Sequence, residues 1–318
     1  MKPILYMAPI MGVTNRIYRN IFSDLFEGYD YAVTPFIRSS KVASVINKQF
    51  RDIDVSKINS SFGLIPQILS NNSEDFIRLA KDMFDLGYEV VNWNLGCPHK
   101  KIRKKIRGAG LLSFPDRIIK FLEDVVPAIP NKISLKCRLG NENGEELFYL
   151  LPLLNDFPLK EIIIHPRIGS QMYTGEVDEI SFEKCLSLTK HEIVYNGEID
   201  SVDKFNYFVE RFPTINKWMI GRGGVTNPFL AEQIKNLTSD TLEKKIDRFR
   251  EFHNELFEYY KKELSGQSHV LHKMKEVWFY WSKAFEEGHS LFIAISRTKD
   301  FSKYLFLVEK FFSSKVNL

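Results

Sequence analysis

Up to about residue 230 the chain alternates short, continuously apolar runs with longer stretches in which apolar positions recur every three or four residues. The first kind of run fits a strand buried on both faces and the second an amphipathic helix, so their alternation is the pattern of βα units around a parallel sheet. Strands are expected at 4–8, 31–34, 64–69, 90–94, 133–136, 161–165, 193–196 and 218–220. Between them lie helical stretches such as 73–86, with Ser73 as its cap and Gly87 just past its end, and 201–211. Eight strands with intervening helices predict an α/β fold, a TIM (β/α)8 barrel rather than an open doubly wound sheet.

The rhythm changes near residue 240. Leu242, Ile246, Phe249, Leu256, Tyr260 and Leu264 recur at intervals of three, four or seven. A second helical stretch covers 269–285 after Gly266, and further helices are expected around 290 and at 302–312. All 13 prolines lie at or before Pro228, while residues 241–318 hold 16 aromatic side chains. The chain is therefore read as a barrel domain, 1–238, followed by a small C-terminal all-helical domain, 239–318.

A length of 318 residues, 44% hydrophobic and 26% charged, is ordinary for a globular protein with a sizeable core. No apolar stretch approaches the length of a membrane span, and the opening residues lack the apolar segment and cleavage site of a signal peptide; a cytoplasmic monomer is expected. Three cysteines, none spaced as a metal-binding pair, fit a reducing compartment and point away from both a disulfide framework and a metal site. The net charge of +4 is slight support for a nucleic-acid partner, but its placement says more. Residues 241–318 carry 14 Lys or Arg against 11 Asp or Glu, which is +3 of the total.

If the barrel is right, chemistry should collect where strands end, because those ends share one rim. Polar or glycine-bearing residues do recur there: Ala8-Pro9, Gln67, Asn94 to Cys97, Lys136-Cys-Arg138, His165-Pro-Arg167, Asn196-Gly-Glu198 and Gly221-Arg-Gly-Gly224. Cys97 sits in Asn92-Trp-Asn-Leu-Gly-Cys-Pro98 and is followed by Lys100, Lys101, Arg103, Lys104, Lys105 and Arg107. A thiol held at a strand end beside six cations suggests a protic group facing a polyanion, although a basic run is more often a solvated loop. Cys137 and Cys185 read as small buried hydrophobes. Gly221 and Arg222, after the last strand, could cradle a phosphate, and Asn196 and Gly197 could extend the cradle. Lys136 could neutralise a cofactor anion and Gln67 could meet a flat heterocycle. His165 could equally be a structural histidine.

With these residues in place, the chain resembles the dihydrouridine synthases, flavin enzymes that reduce uridine in tRNA. The similarity runs through Met7-Ala-Pro-Ile-Met-Gly-Val-Thr14, Gln67-Ile-Leu69, Asn92 to Pro98 with Gly108-Ala-Gly-Leu-Leu112, Leu135-Lys-Cys-Arg-Leu-Gly140, His165-Pro-Arg167, Asn196-Gly-Glu-Ile199 and Ile220-Gly-Arg-Gly223, in the family's order. The resemblance implies FMN at the barrel mouth, lined by Pro9, Ile10 and Met11. Gln67 and Lys136 would hold the ring edge, with His165, Asn196, Gly197, Glu198, Gly221 and Arg222 near the phosphate end. It further implies Cys97 as the catalytic residue, Asn94 near the uracil, and Lys275 and Arg297 as basic positions of a tRNA-binding tail. The family commonly has His-Gly-Arg-Thr where this chain has His165-Pro-Arg167-Ile168.

The activity so implied is reduction of the uracil 5,6 double bond, with hydride delivered to C6 from reduced FMN, a proton delivered to C5 by Cys97, and NADPH as reductant. Two other readings stand beside it. One is an FMN oxidoreductase on a free pyrimidine, similar to dihydroorotate dehydrogenase, which the basic aromatic tail disfavours. The other is an RNA-binding module on a degenerate barrel, which the retained Cys97, Lys136 and Arg222 disfavour.

Overall fold

The computed structural model describes residues 2–40 and 43–314. Its parallel strands are β1 (Ile4–Met7), β2 (Tyr31–Val33), β3 (Ile37–Arg38), β4 (Gly63–Ile65), β5 (Gln67–Leu69), β6 (Val90–Leu95), β7 (Lys132–Gly140), β8 (Leu159–Ile168), β9 (Ile193–Tyr195) and β10 (Lys217–Ile220). Hydrogen bonding orders them β3-β5-β6-β7-β8-β9-β10-β1-β2-β4. The two apparent ends are halves of interrupted strands. Tyr31 pairs with Gly63 and, further along, Ile37 with Ile68, so β2 and β3 run in line against β4 and β5 with one residue of slippage. Ten segments thus make eight strands, and β1 on β10 closes the ring as a TIM-type barrel.

The expected strand 64–69 is therefore broken, and the cause is Pro66, which has no N–H for the ladder. Its carbonyl still accepts from Asn92 N–H at 2.8 Å, and the Thr34 side chain takes over Gln67 N–H at 3.1 Å. The segment Ile37–Arg38 was not foreseen: two residues carry too little pattern to be seen.

Alternation along the strands sorts side chains into two interiors. Trp93, Leu135, Cys137, Ile162 and Ile164 point outward and are buried under the helices; Trp93 stacks on Phe121 of helix Pro115–Val125 at 3.9 Å. Inside the barrel, Tyr6, Ala8, Val33, Ile65, Ile163, Val194 and Met219 form a separate apolar cluster. Helix Ser73–Asp85 is capped one residue earlier than expected: Asn72, not Ser73, accepts Asp75 N–H at 2.7 Å. Ser201 caps Val202–Arg211 by the same means.

Four helices make the tail: Leu242–Glu263, Gln267–Trp281, Gly288–Ser296 and Phe301–Phe312. The second stops at Trp281, short of the expected 285, and Leu242 is exposed although it lies in register with the apolar face. The tail is joined to the barrel by a continuous apolar core. Phe252 meets Tyr18 and Phe26 at 5.2 Å and Phe22 at 6.1 Å. The loop after β1 is clipped to the tail by Lys273 Nζ on Gly12 O, Asn15 on Tyr260 and Arg16 on Tyr259, at 3.1–3.3 Å. Among the described residues no helix is long and apolar enough to cross a membrane.

Candidate active site

The barrel opens at the carboxyl ends of its strands into a cleft of about 620 Å³. Strand β6 delivers the thiol. Leaving the barrel after Leu95, the chain turns so that Asn94 Oδ1 accepts the backbone N–H groups of Gly96 (3.1 Å) and Cys97 (2.9 Å). Arg138, itself buried, donates to Gly96 O at 3.0 Å and to Ile168 O at 2.9 Å, fixing the outer side of the turn. Gly108 backs the cysteine: at φ +56°, any Cβ there would stand 2.8 Å from Cys97. Burial pushes the Cys97 thiol up from its ordinary value, opposed by the His99 backbone N–H and the charges of Arg138 and Arg38. The group is accordingly a neutral thiol at neutral pH, a proton donor rather than a thiolate.

Two residues along β7 from Ser134, Lys136 rises from the floor and donates to Asn196 Oδ1 at 2.6 Å, while Asn196 Nδ2 is committed to Met219 O. Burial, reinforced by the charge of Arg138, brings the Lys136 ammonium down to about 7. Gln67 lies fully buried beside them, tied to Asn92 and Asn94. His165 accepts from Arg167 through Nε2 at 3.1 Å, which leaves the proton on Nδ1. Burial and then the cations Arg138, Lys136, Arg167 and Arg222 hold its pKa well below the usual imidazole range, so the ring is neutral.

The opposite wall is packed so tightly against its own chain that only glycine fits at two positions. A Cβ at Gly223 would meet Ile199 O at 2.1 Å, and one at Gly197 would meet Val177 at 2.9 Å. Gly221 and Gly197 line this wall with Arg222, and the short helix Arg222–Thr226 starts here. Glu198, at φ +47°, receives both Arg167 and Arg222 at 2.7 Å. That carboxylate therefore positions the two arginines, and Arg167 keeps a buried Nε without a partner among the described residues. On the remaining side Pro9, Ile10 and Met11 form the lip. Thr14 holds Ile10 N–H at 2.8 Å, and Met11 is 57% exposed.

All the residues expected to touch a cofactor line this one cleft, together with Asn94 and Cys97. The cationic residues expected to meet RNA do not. Lys100, Lys101, Lys104 and Lys105 are exposed outside it and form no ion pair among the described residues. Arg103 is turned inward to Asn141 (2.5 Å) and Glu142, and Arg107 to Asn71 (2.9 Å). In the tail, Lys275 is spent on Thr298 O at 2.6 Å and its pKa is lowered by burial and Lys299; Arg297 stands exposed beyond Gly288–Ser296.

Sequence reasoning set Arg138 on the rim but gave it no role, and it did not find Tyr173; both line the cleft. Strand alternation could have found the first, since Cys137 points out and Arg138 must point in. Tyr173 had no such signal. It hangs on the loop after β8 with its ring between the guanidinium groups of Arg138 (5.4 Å) and Arg222 (5.2 Å). Lys283 is a third, brought to the rim by the tail.

Residues 6–312 match the family model described as dihydrouridine synthase. Among curated proteins, tRNA-dihydrouridine synthase B of Vibrio vulnificus is 28% identical over 235 residues, 74% of this chain and 71% of that protein. A probable tRNA-dihydrouridine synthase of Helicobacter pylori is 27% identical over 271 residues, 80% and 79% of the two chains. Among solved structures, the old yellow enzyme homologue from Zymomonas mobilis has a TM-score of 0.55 at 12% identity, covering 76% of this chain and 91% of its own. Morphinone reductase has a TM-score of 0.52 at 12% identity, covering 74% and 86%. Likeness at that identity speaks for the barrel fold alone. With the family model spanning barrel and tail alike, the chain belongs to the dihydrouridine synthase family.

Proposed function

We propose that this protein is an FMN-dependent, NADPH-driven tRNA-dihydrouridine synthase that reduces the 5,6 double bond of a uridine in tRNA. The observation that carries the reading is the cleft floor, where a thiol held neutral, an amide and an ammonium group face one space. Saturating a carbon–carbon double bond needs a proton donor that stays protonated until transfer, and the buried Cys97 thiol has that property.

The cleft fits a flavin. Its volume, the glycine-lined wall at Gly197, Gly221 and Gly223, and the partly committed Arg222 suit a flat ring with an anionic tail. Pro9, Ile10, Met11, Gln67 and Lys136 would hold the ring, and His165, Asn196, Gly197, Gly221 and Arg222 the phosphate end, with Glu198 keeping Arg222 in place. Bound flavin would supply the hydride, taken from NADPH. Asn94 offers its amide to the uracil edge while anchoring the Cys97 turn. Cys97 delivers the proton to C5 and is restored from solvent. The target base must leave its stack to enter the barrel mouth, so phosphate contacts outside the cleft have work to do. Lys100, Lys101, Lys104 and Lys105 are free to make them, with Arg297 in the tail; Lys275, already donating to Thr298 O, would add positive charge there, and Arg103 and Arg107 would hold the loop in shape. Such an enzyme works in the cytoplasm and needs no metal.

The test is conversion of unmodified tRNA by the purified protein with NADPH, followed by nucleoside mass spectrometry. Dihydrouridine is expected, together with the loss of one dihydrouridine position from the tRNA of a deletion strain. A yellow protein that reduces free pyrimidines and leaves tRNA untouched would overturn the reading.

A further inference from the structure

Below the cleft, one wall of the barrel interior is polar where the other is apolar. Gln67, Asn92, Ser134 and Glu161 are successive ladder partners across β5, β6, β7 and β8. All four are fully buried. Their side chains form a single line of hydrogen bonds: Gln67 Nε2 donates to Asn92 Oδ1 (2.7 Å), Asn92 Nδ2 to Ser134 Oγ (2.8 Å), and Ser134 Oγ to Glu161 Oε1 (3.2 Å). At the upper end Asn94 Nδ2 donates to Gln67 Oε1 at 2.7 Å, and Asn94 Oδ1 holds the Gly96 and Cys97 amides. At the lower end Glu161 also receives Tyr6 OH (2.9 Å) and Lys217 Nζ (3.3 Å).

The line has a direction that its two ends impose independently. A backbone N–H can only donate, so Asn94 must present its oxygen to Cys97 and its NH2 to Gln67. A carboxylate that already receives a phenol and an ammonium group can only accept, so Ser134 must donate to it and accept from Asn92. Both demands orient Gln67 and Asn92 the same way, and neither amide can flip without breaking bonds at both of its faces.

We infer that Ser134 and Glu161, which lie below the cleft and do not line it, are positioning residues that set the orientation of Gln67 and Asn94 and thereby hold the Cys97 turn. The relay itself is independent of the reaction. Its consequence for turnover rests on the reading of Cys97 as proton donor.

The experiment compares Ser134→Ala and Glu161→Gln with the wild-type full-length holoprotein. In the first variant Asn92 loses its acceptor. In the second, Tyr6 and Lys217 claim the amide oxygen, the NH2 turns toward Ser134, and the serine hydroxyl loses its acceptor while side-chain size is kept. Three quantities are read: amide hydrogen exchange of the segment spanning Asn94 to Cys97, the pH profile of Cys97 alkylation, and kcat against KM on unmodified tRNA. Loss of one buried hydrogen bond should speed exchange in that segment and lower kcat by roughly tenfold, with KM for tRNA unchanged. The effect of Glu161→Gln should be the smaller, and the alkylation profile should move in both. If either folded variant shows wild-type exchange and a wild-type alkylation profile, the inference is wrong, whatever its turnover. Should Ser134→Ala fail to fold, Glu161→Gln decides alone. The enzymatic reading fails separately, by full turnover in Cys97→Ala, and that result would leave the exchange measurement standing.

Discussion

The charges of the cleft and the charges of the basic run differ in how they are held. In the cleft the cations of the floor and of the glycine wall each have a partner at hydrogen-bond distance: Lys136 on Asn196, Arg138 on Gly96, Arg222 on Glu198. Along Lys100–Arg107, four lysines stand in solvent while only the arginines are tied down. Fixed charge suits a ligand of one shape, and loose charge suits a polyanion gripped by its backbone whatever its sequence. Six cations in eight residues therefore split into two jobs, which the composition of the segment could not have shown.

The sharpest way to test that contrast is to remove the one group whose chemistry cannot be shared. Cys97→Ala should abolish dihydrouridine formation, with a flavin spectrum and melting temperature close to wild type; full turnover would remove the thiol from the proton-donor role. Cys137→Ala, outside the barrel under the helices, should leave turnover intact. Next, removing Lys136 or Arg222 by alanine should weaken FMN binding about ten- to hundredfold, as a charge-assisted hydrogen bond is worth about 1.5–3 kcal/mol. Fluorescence quenching measures it, and unchanged affinity in both variants would mean that both the ring contact of Lys136 and the phosphate contact of Arg222 have been misassigned.

Acidity supplies a third test. The thiol pKa of Cys97 is raised, so the acid is fully present at neutral pH and kcat should fall only as pH climbs through that raised value. A rate that rises with pH over the same range would indicate a thiolate. Lys136 carries the converse sign. Its native pKa, about 7 against an ordinary 10.5, makes the charged form costly in the fold. The flavin-free protein should thus gain stability as pH rises from 7 toward 10.5, and Lys136→Met should flatten that slope in a series of thermal melts.

The smallest effects belong to the loose charges. Neutralising Lys104 and Lys105 together should lower the slope of log affinity against log salt by roughly 0.7–0.9 for each phosphate they had neutralised, with cofactor binding unaltered. Arg103→Ala should instead loosen the loop, because it breaks the hydrogen bonds to Asn141 and Glu142. An equal salt response from both substitutions would erase the distinction between fixed and loose charge.

All eight strands were legible because each is an apolar run long enough to outweigh its neighbours. Their interruptions were not, since the break at Pro66 and the pair Ile37–Arg38 depend on what the adjacent strand offers. Of the site, the residues at strand ends were legible through the barrel's own geometry. Tyr173 and Lys283 come to the cleft by loop and tail, which no local pattern reports. The polar line from Gln67 to Glu161 was hidden too: each member reads as an isolated polar residue in an apolar strand, and only the register shows them side by side.

The clip between the first loop and the tail has a thermodynamic consequence. Met11 and its neighbours lie at the cleft lip, and Gly12, Asn15 and Arg16 are fastened to Lys273, Tyr260 and Tyr259. Cofactor and RNA would thus meet the same short segment from opposite sides, and linkage is reciprocal: any factor by which one tightens the other's hold must be returned in equal measure. The tail cannot then be treated as a detachable handle, since cutting it away strips Phe252 and Trp281 from the core and also unfastens the lip. Affinity for the small ligand is in this sense a property of the whole chain.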